Sequence, residues 1–238
     1  MKVAIVCIAK DENYYLQEWI NYNLKLGFDH IFLYQNDWRT DIENPQLTKL
    51  IWDGPVAQIP AYNNFLNTNK DYDWIAFIDC DEYISLKKHD NIKDFIKEYD
   101  NPNGIGLNWF FYGSGGQLNR VNNSLLHQFK YRSNNVDQHV KTILNVKSGA
   151  RMQLPHNPNI PIMDTNTKFF AGPFNPHGPT DVAYINHYHN KTKEDWEIRI
   201  KRGRVDAPIG HDYTVWDREI NMNIDVEDVH ALNFYLNN

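Results

Sequence analysis

An apolar run, Trp74 to Ile78, opens directly into Asp79-Cys80-Asp81-Glu82. In an extended chain alternate side chains share a face, so Asp79 and Asp81 point the same way. Two carboxylates so placed offer hard oxygen ligands and leave coordination positions for phosphate oxygens, which suits Mg2+ or Mn2+. The alternative is a polar strand exit whose carboxylates cap the following turn. Far downstream, VAYINHYH puts His187 and His189 on one strand face. An imidazole beside the two aspartates favours Mn2+ over Mg2+. As a neutral ligand it loses affinity when pH falls through roughly 6.5. The plainer duty for this pair is ordinary hydrogen bonding. KTKEDWEIRIKRGR follows at once, with Lys191, Lys193, Arg199, Lys201, Arg202 and Arg204. Such a run is either a solvated helix face or a clamp for a diphosphate.

NWFFYGSGG joins an aromatic strand to a flexible turn. Gly113, Gly115 and Gly116 let backbone approach a ligand closely. Trp109, Phe110, Phe111 and Tyr112 offer rings to stack on a sugar, although core packing is the expected duty of at least two. The turn is not a P-loop, because no Gly-Lys-Ser/Thr follows, and AKDENYY after the first apolar run is not a dinucleotide fingerprint.

The elements that must position these residues alternate between strand and helix. Lys2 to Ala9 is a continuous β-branched run, the pattern of a parallel strand covered on both faces. Helical spacing of Tyr15, Leu16, Trp19, Ile20 and Leu24 follows, with Gly27 as the stop signal. Asp29 to Tyr34 completes a right-handed βαβ unit. Further strands are expected at Val56 to Ile59, Trp74 to Ile78, Gly104 to Phe111, Leu125 to Tyr131, Val140 to Val146 and Val182 to His189. Helices are expected at Ala61 to Lys70, Asn91 to Tyr99 and Thr192 to Arg202, with one more between Trp216 and Tyr235. Met152 to Pro179, rich in proline, reads as a long ordered loop.

Composition narrows the function classes. The chain has 238 residues, 42% hydrophobic and 14% aromatic, which supports a sizeable core and argues against disorder. No run of 18 apolar residues occurs, so no membrane span is expected, and the short N-terminal apolar run is too soon interrupted by charge for a signal peptide. Cys7 and Cys80 are too few for a disulfide framework and form no metal-type CxxC; a reducing, cytoplasmic setting fits. A net charge of −6 argues against a general nucleic-acid binder, because phosphate neutralisation needs a basic face.

Taken together, IAKDENYYLQEWINYNLKLGFDHIFLYQND, WIAFIDCDEYI, LNWFFYGSGG, VKTIL and INHYHNKTKEDWEIRIKRGR resemble glycosyltransferases of the GT-A fold. The pattern is that of a short family-2-like group related to the family-92 enzymes, and it runs from about residue 2 to residue 204. The resemblance implies an α/β chain: a GT-A-like, Rossmann-like mixed sheet flanked by helices, with a loop-rich C-terminal part. It implies one domain over 1–238, with a nucleotide-sugar half to about residue 100 and an acceptor half beyond. Ala9, Lys10 and Glu12 would face the nucleotide, with Asp37 near its base or ribose. Asp79 and Asp81 would be the metal-binding DxD, Asp81 the direct ligand, with Cys80 between them and His187 completing the site. Arg199, Lys201 and Arg204 would meet the diphosphate. Trp109, Gly113, Ser114 and Gly115 would line the acceptor side, with Lys141 a recurrent lone lysine there. The acidic pair that supplies the base late in many family-2 cores has no counterpart here. Asp137 is the first candidate for the base, ahead of Asp181 and Asp212.

The expected activity is therefore metal-dependent transfer of a sugar, hexosyl or deoxyhexosyl, from a nucleoside diphosphate donor, of the UDP type, to a glycan hydroxyl, with Mn2+ or Mg2+. A nucleotidyltransferase would carry a glycine- and lysine/arginine-rich loop after the first strand, which AKDENYY lacks. A carbohydrate-binding module would explain 7 Trp and 14 Tyr but not the aspartates at the sheet's edge.

Overall fold

The computed structural model describes residues 1–207, 210, 212–217 and 224–237. Strands Val3–Ala9 (β1), His30–Gln35 (β2), Leu47–Ile51 (β3) and Trp74–Phe77 (β4) lie parallel in the order β3-β2-β1-β4. β1 is buried along its whole length because both of its faces are covered. Val3, Ile5, Cys7 and Ala9 enter a core shared with Tyr15, Leu16, Trp19 and Ile20 of the helix Asn13–Lys25 (α1). Ala4, Val6 and Ile8 enter a second core with Ala61, Tyr62, Phe65 and Leu66 of the helix Gln58–Thr68 (α2). α1 ends where Leu26 caps it and Gly27 follows at φ +101°, a conformation that favours glycine.

Beyond β4 the sheet becomes mixed. Glu82–Leu86 (β5) is followed by the helix Ile92–Lys97 (α3), capped by the Asn91 side chain, and by Gly104–Phe111 (β6). Next come a single helical turn, Leu125–Gln128 (α4), and Tyr131–Ser133 (β7), then Asp137–Asn145 (β8). β8 runs antiparallel between β4 and β6, so its first residues lie at the edge where those strands end. Ile162–Met163 (β9) and Phe169–Phe170 (β10) extend that side. Ala183–His187 (β11) pairs parallel with β6 and antiparallel with β5. Lys193–Arg202 (α5) begins in a capping box between Thr192 and Asp195. Tyr213–Asp217 (α6), Ile224–Glu227 (β12) and His230–Asn237 (α7) close the chain. The mixed α/β architecture, a central, mostly parallel sheet flanked by helices, is as expected.

Two of the expected strands fail, and others were not expected. Val56 to Ile59 is not a strand: Val56 has φ +51°, Ala57 caps α2, and Ala61, Tyr62 and Phe65 continue the helical spacing. The third strand is instead LTKLI, only partly buried at the sheet's margin and therefore without a strong apolar run. Leu125 to Tyr131 divides into α4, whose Leu125 and His127 N–H groups donate to the Glu18 and Ser124 side chains, and β7. β5 was hidden because its first residue is a buried glutamate. The further helix expected between Trp216 and Tyr235 is α7, which starts at His230 and is preceded by β12, with residues 218–223 outside the described residues. Among the described residues no helix is long and apolar enough to cross a membrane.

Candidate active site

A cavity of about 430 Å3 opens where β1 and β4 end. Cys7 and Cys80 meet beneath it, their sulfurs 3.3 Å apart, which ties the turn after β4 to the end of β1. Burial pushes the Cys7 thiol well above its ordinary pKa, so it is a packed neutral group.

The two aspartates of the turn have different partners. The Asp79 N–H donates to Glu82 Oε2 at 2.9 Å, and the Glu82 N–H donates back to the Asp79 carbonyl at 3.1 Å. Asp79 Oδ1 accepts from Gln58 Nε2 at 3.0 Å, and Oδ2 accepts from Lys141 Nζ at 2.6 Å. Both of its oxygens are thus engaged. Lys141 is 1% exposed and also lies 3.3 Å from Glu82. Burial pulls the Lys141 ammonium down, and Asp79 and Glu82 more than reverse this, so it stays charged.

Asp81 is 3% exposed rather than open to solvent. Its Oδ2 accepts from Arg199 at 3.2 Å and lies 3.9 Å from Lys191. Burial opposes ionisation, but Lys191 and Arg199 hold the carboxyl well below the usual carboxylate range. The other oxygen, Oδ1, faces His187 Nε2 at 3.9 Å, and Glu82 Oε1, buried and without a hydrogen-bond partner, is also 3.9 Å from that nitrogen. Among the described residues, no three or more His, Cys, Asp or Glu side chains are grouped to hold a metal alone. The unshared carboxylate oxygen and facing imidazole do fit a divalent cation that takes its other ligands from phosphate and water. β11 sets this geometry, since His187 sits opposite Glu82 on one side and Phe111 on the other. Burial pushes the His187 imidazole down to about 4, with Lys141 and Arg199 adding to the effect against Asp81. It is therefore neutral through pH 6.5, which corrects the expected titration there.

One wall of the cavity is cationic. Arg199 and Arg202 project from α5, and Arg204 lines the cavity beyond it. Glu12 accepts from Lys191 at 2.8 Å and pairs with Arg202. Burial would raise the Glu12 carboxyl, but Arg202 and Lys191 hold it down at about 2. Glu12 thus orients the cations. Lys10 lines the cavity and pairs with Asp37 at 3.1 Å; Asp37 is outside the lining and accepts from the Gly54 N–H. Lys201 is exposed and outside the lining, on another face of α5.

The opposite wall comes from β6 and β8. The Trp109 ring stands between two imidazoles: edge-on to His187 at 4.8 Å and stacked on His139 at 5.0 Å with an interplanar angle of 1°. Asp137 lines the same wall. Its Oδ1 accepts from the His139 N–H and lies 2.7 Å from His139 Nδ1. Asp181 and Asp212 do not line the cavity. Nor do Gly113, Ser114 and Gly115, which turn beside an open depression lined by Gln117 and Leu118. Lys141 lies beneath the turn rather than on an acceptor surface. Reading the sequence missed His139 and His156 and gave Glu82 no role of its own; the sequence signal for His139 was its place two residues after Asp137.

No protein-family profile matches the chain. It is similar to a glycosyltransferase family 92 protein of Ricinus communis, 24% identical over 110 residues, 42% of this chain and 20% of that protein. A glycosyltransferase family 92 protein of Oryza sativa subsp. japonica is 22% identical over 114 residues, 44% of this chain and 20% of that one. The matched stretch is about a fifth of each relative's length. This chain is glycosyltransferase-like in sequence. Among solved structures, S. aureus TarS aligns with 100% of this chain and 43% of its own, at 15% identity and a TM-score of 0.40. HddC from Yersinia pseudotuberculosis aligns with 60% of this chain and 73% of its own, at 15% identity and a TM-score of 0.35.

Proposed function

We propose that this chain transfers a sugar from a nucleoside diphosphate donor, of the UDP type, to a hydroxyl of a glycan or glycoconjugate, with Mn2+ or Mg2+. The observation that carries the reading is the meeting in one cavity of the Asp81–His187 pair, the Arg199–Arg202–Arg204 wall and, across Trp109, Asp137. Asp81 Oδ1 and His187 Nε2 would hold the cation, which offsets charge building on the leaving diphosphate when bound. Arg199 and Arg202 add positive charge already oriented by Asp81 and Glu12, so little reorganisation is needed as the negative charge develops. The end of β1, from Ala9 to Lys10, meets the nucleotide. The Trp109 indole lines the cavity between His187 and His139 and holds those two rings in place. Asp137 belongs to the group that deprotonates the acceptor.

Calorimetry with UDP, with and without Mn2+, tests the donor site, and release of UDP from UDP-glucose, UDP-galactose and UDP-N-acetylglucosamine tests the reaction. The expected result is UDP binding that needs the metal and is lost with a chelator, together with metal-dependent UDP release from at least one donor. Equal UDP binding with and without metal would remove the cation from the reading. No binding and no release with any of these nucleotides would remove the donor class.

A further inference from the structure

The side chain placed to take the acceptor's proton is a histidine that the family resemblance does not supply. We infer that His139 Nε2 is the general base, with Asp137 the residue that positions it; this rests on the transferase reading above.

Asp137 Oδ1 accepts from the His139 backbone N–H at 2.8 Å and lies 2.7 Å from Nδ1 of the same ring. Burial opposes its ionisation, but the hydrogen bonds from His139 keep the Asp137 carboxyl below its ordinary range. A carboxylate can only accept, so the Nδ1 proton lies toward Asp137 and the lone pair of the neutral ring is on Nε2. An aspartate that fixes an imidazole's tautomer in this way is the arrangement by which His-Asp pairs abstract hydroxyl protons. The ring itself is held on several sides. Trp109 stacks on it at 5.0 Å, Phe174 meets it edge-on at 4.6 Å, and His156 lies 5.3 Å away. Backbone pairing of His139 with Phe174 fixes the strand at that point. Yet the His139 side chain remains 38% exposed and lines the cavity. A ring so restrained, with Nδ1 occupied and the side chain still lining the cavity, is suited to proton transfer. Asp137 spends its hydrogen-bonded oxygen on that ring.

The step balances as an in-line displacement. The acceptor oxygen bonds to the anomeric carbon as that carbon's bond to the phosphate oxygen breaks. The electron pair leaves with the nucleoside diphosphate, and the acceptor's proton moves to His139 Nε2.

The test compares His139→Ala and Asp137→Asn with wild type. UDP release from UDP-glucose, UDP-galactose and UDP-N-acetylglucosamine is measured with Mn2+ and water as acceptor, alongside UDP binding by calorimetry and the thermal melt. For His139→Ala the expected result is a kcat about 10²- to 10⁴-fold lower, with UDP affinity and melt near wild type, and partial recovery on adding imidazole. Asp137→Asn is expected to lose kcat without recovery by imidazole, because the ring is present but no longer oriented. If His139→Ala keeps its kcat while Asp137→Asn loses it, the carboxylate itself is the base and the inference is overturned. A loss in His139→Ala that follows the melt, with no imidazole effect, likewise overturns it. Wild-type protein that neither binds UDP nor releases it from any of these donors overturns the transferase reading, and this assignment with it.

Discussion

Replacing Lys141 by methionine isolates the charge balance under the aspartate turn. Lys141 is 1% exposed and is the cation that reaches both Asp79, at 2.6 Å, and Glu82, at 3.3 Å. Methionine keeps most of the volume, so the change is electrostatic rather than a cavity. Glu82 is wholly buried, and removing one partner of a buried pair costs about 3–5 kcal/mol because a charge is left uncompensated. With an unfolding entropy of about 2.1 cal/mol/K per residue over 238 residues, that corresponds to a Tm lower by roughly 6–10 °C. The loss has a pH signature. Burial already pushes the Glu82 carboxyl well above its ordinary pKa, against Lys141, and without Lys141 it rises further. A group whose folded pKa is raised contributes stability below its unfolded value, near 4.3, and loses it as pH rises. The penalty of Lys141→Met should therefore be greatest at pH 8 and shrink toward pH 4.5, and Lys141→Met with Glu82→Gln should recover part of it. Thermal melts across pH read all of this. A single variant melting within 2 °C of wild type at pH 8 would refute the reasoning, as would a penalty that grows on acidification.

Asp81→Asn should abolish metal-dependent UDP binding in calorimetry and also lower the melt, because Arg199 and Lys191 lose a buried partner; a melt change below about 0.5 kcal/mol, the size of a surface substitution, would contradict its burial. His187→Ala should weaken UDP binding in Mn2+ more than in Mg2+, and more than His189→Ala does, as measured by calorimetry with each metal. Stability should fall as pH drops from about 6.5 toward 4, because burial holds the His156 imidazole at about 3 and the His187 imidazole at about 4. The unfolded chain binds the extra protons across that window, so the slope is positive with pH; His156→Gln should flatten it in denaturant titrations at pH 5 and pH 7.

The strands that carry the site were legible where burial on both faces demands a continuous apolar run, as in β1 and β4. The aspartates after β4 and the histidines ending β11 were legible for the same reason, being polar residues that interrupt such runs. What pairs with them was not. Asp81 and Arg199 are 118 positions apart, and nothing local distinguishes Arg199 from exposed Lys201 on the same helix. Likewise, Asp79 and Asp81 share a motif but not a role, because one meets Lys141 and Gln58 and the other faces His187. Gly113 to Gly116 carried a strong turn signal, but a turn signal does not say which side of the sheet the turn overhangs.

The pairing of β11 with both β5 and β6 also dictates when the site comes into being during synthesis. Glu82 and Asp81 leave the ribosome long before the residues that neutralise them: Lys141 comes 62 positions after Asp79, and Arg199 comes 118 after Asp81. At roughly 5–20 residues per second, the nascent chain waits some 6–24 s between making Asp81 and making its arginine partner. Until β11 is made, β5 lacks the strand it pairs with. The cationic wall of the cavity is therefore the last part of it to be made: β1 to β4 are synthesised well before it, and a nascent chain that lacks α5 lacks Arg199 and Arg202.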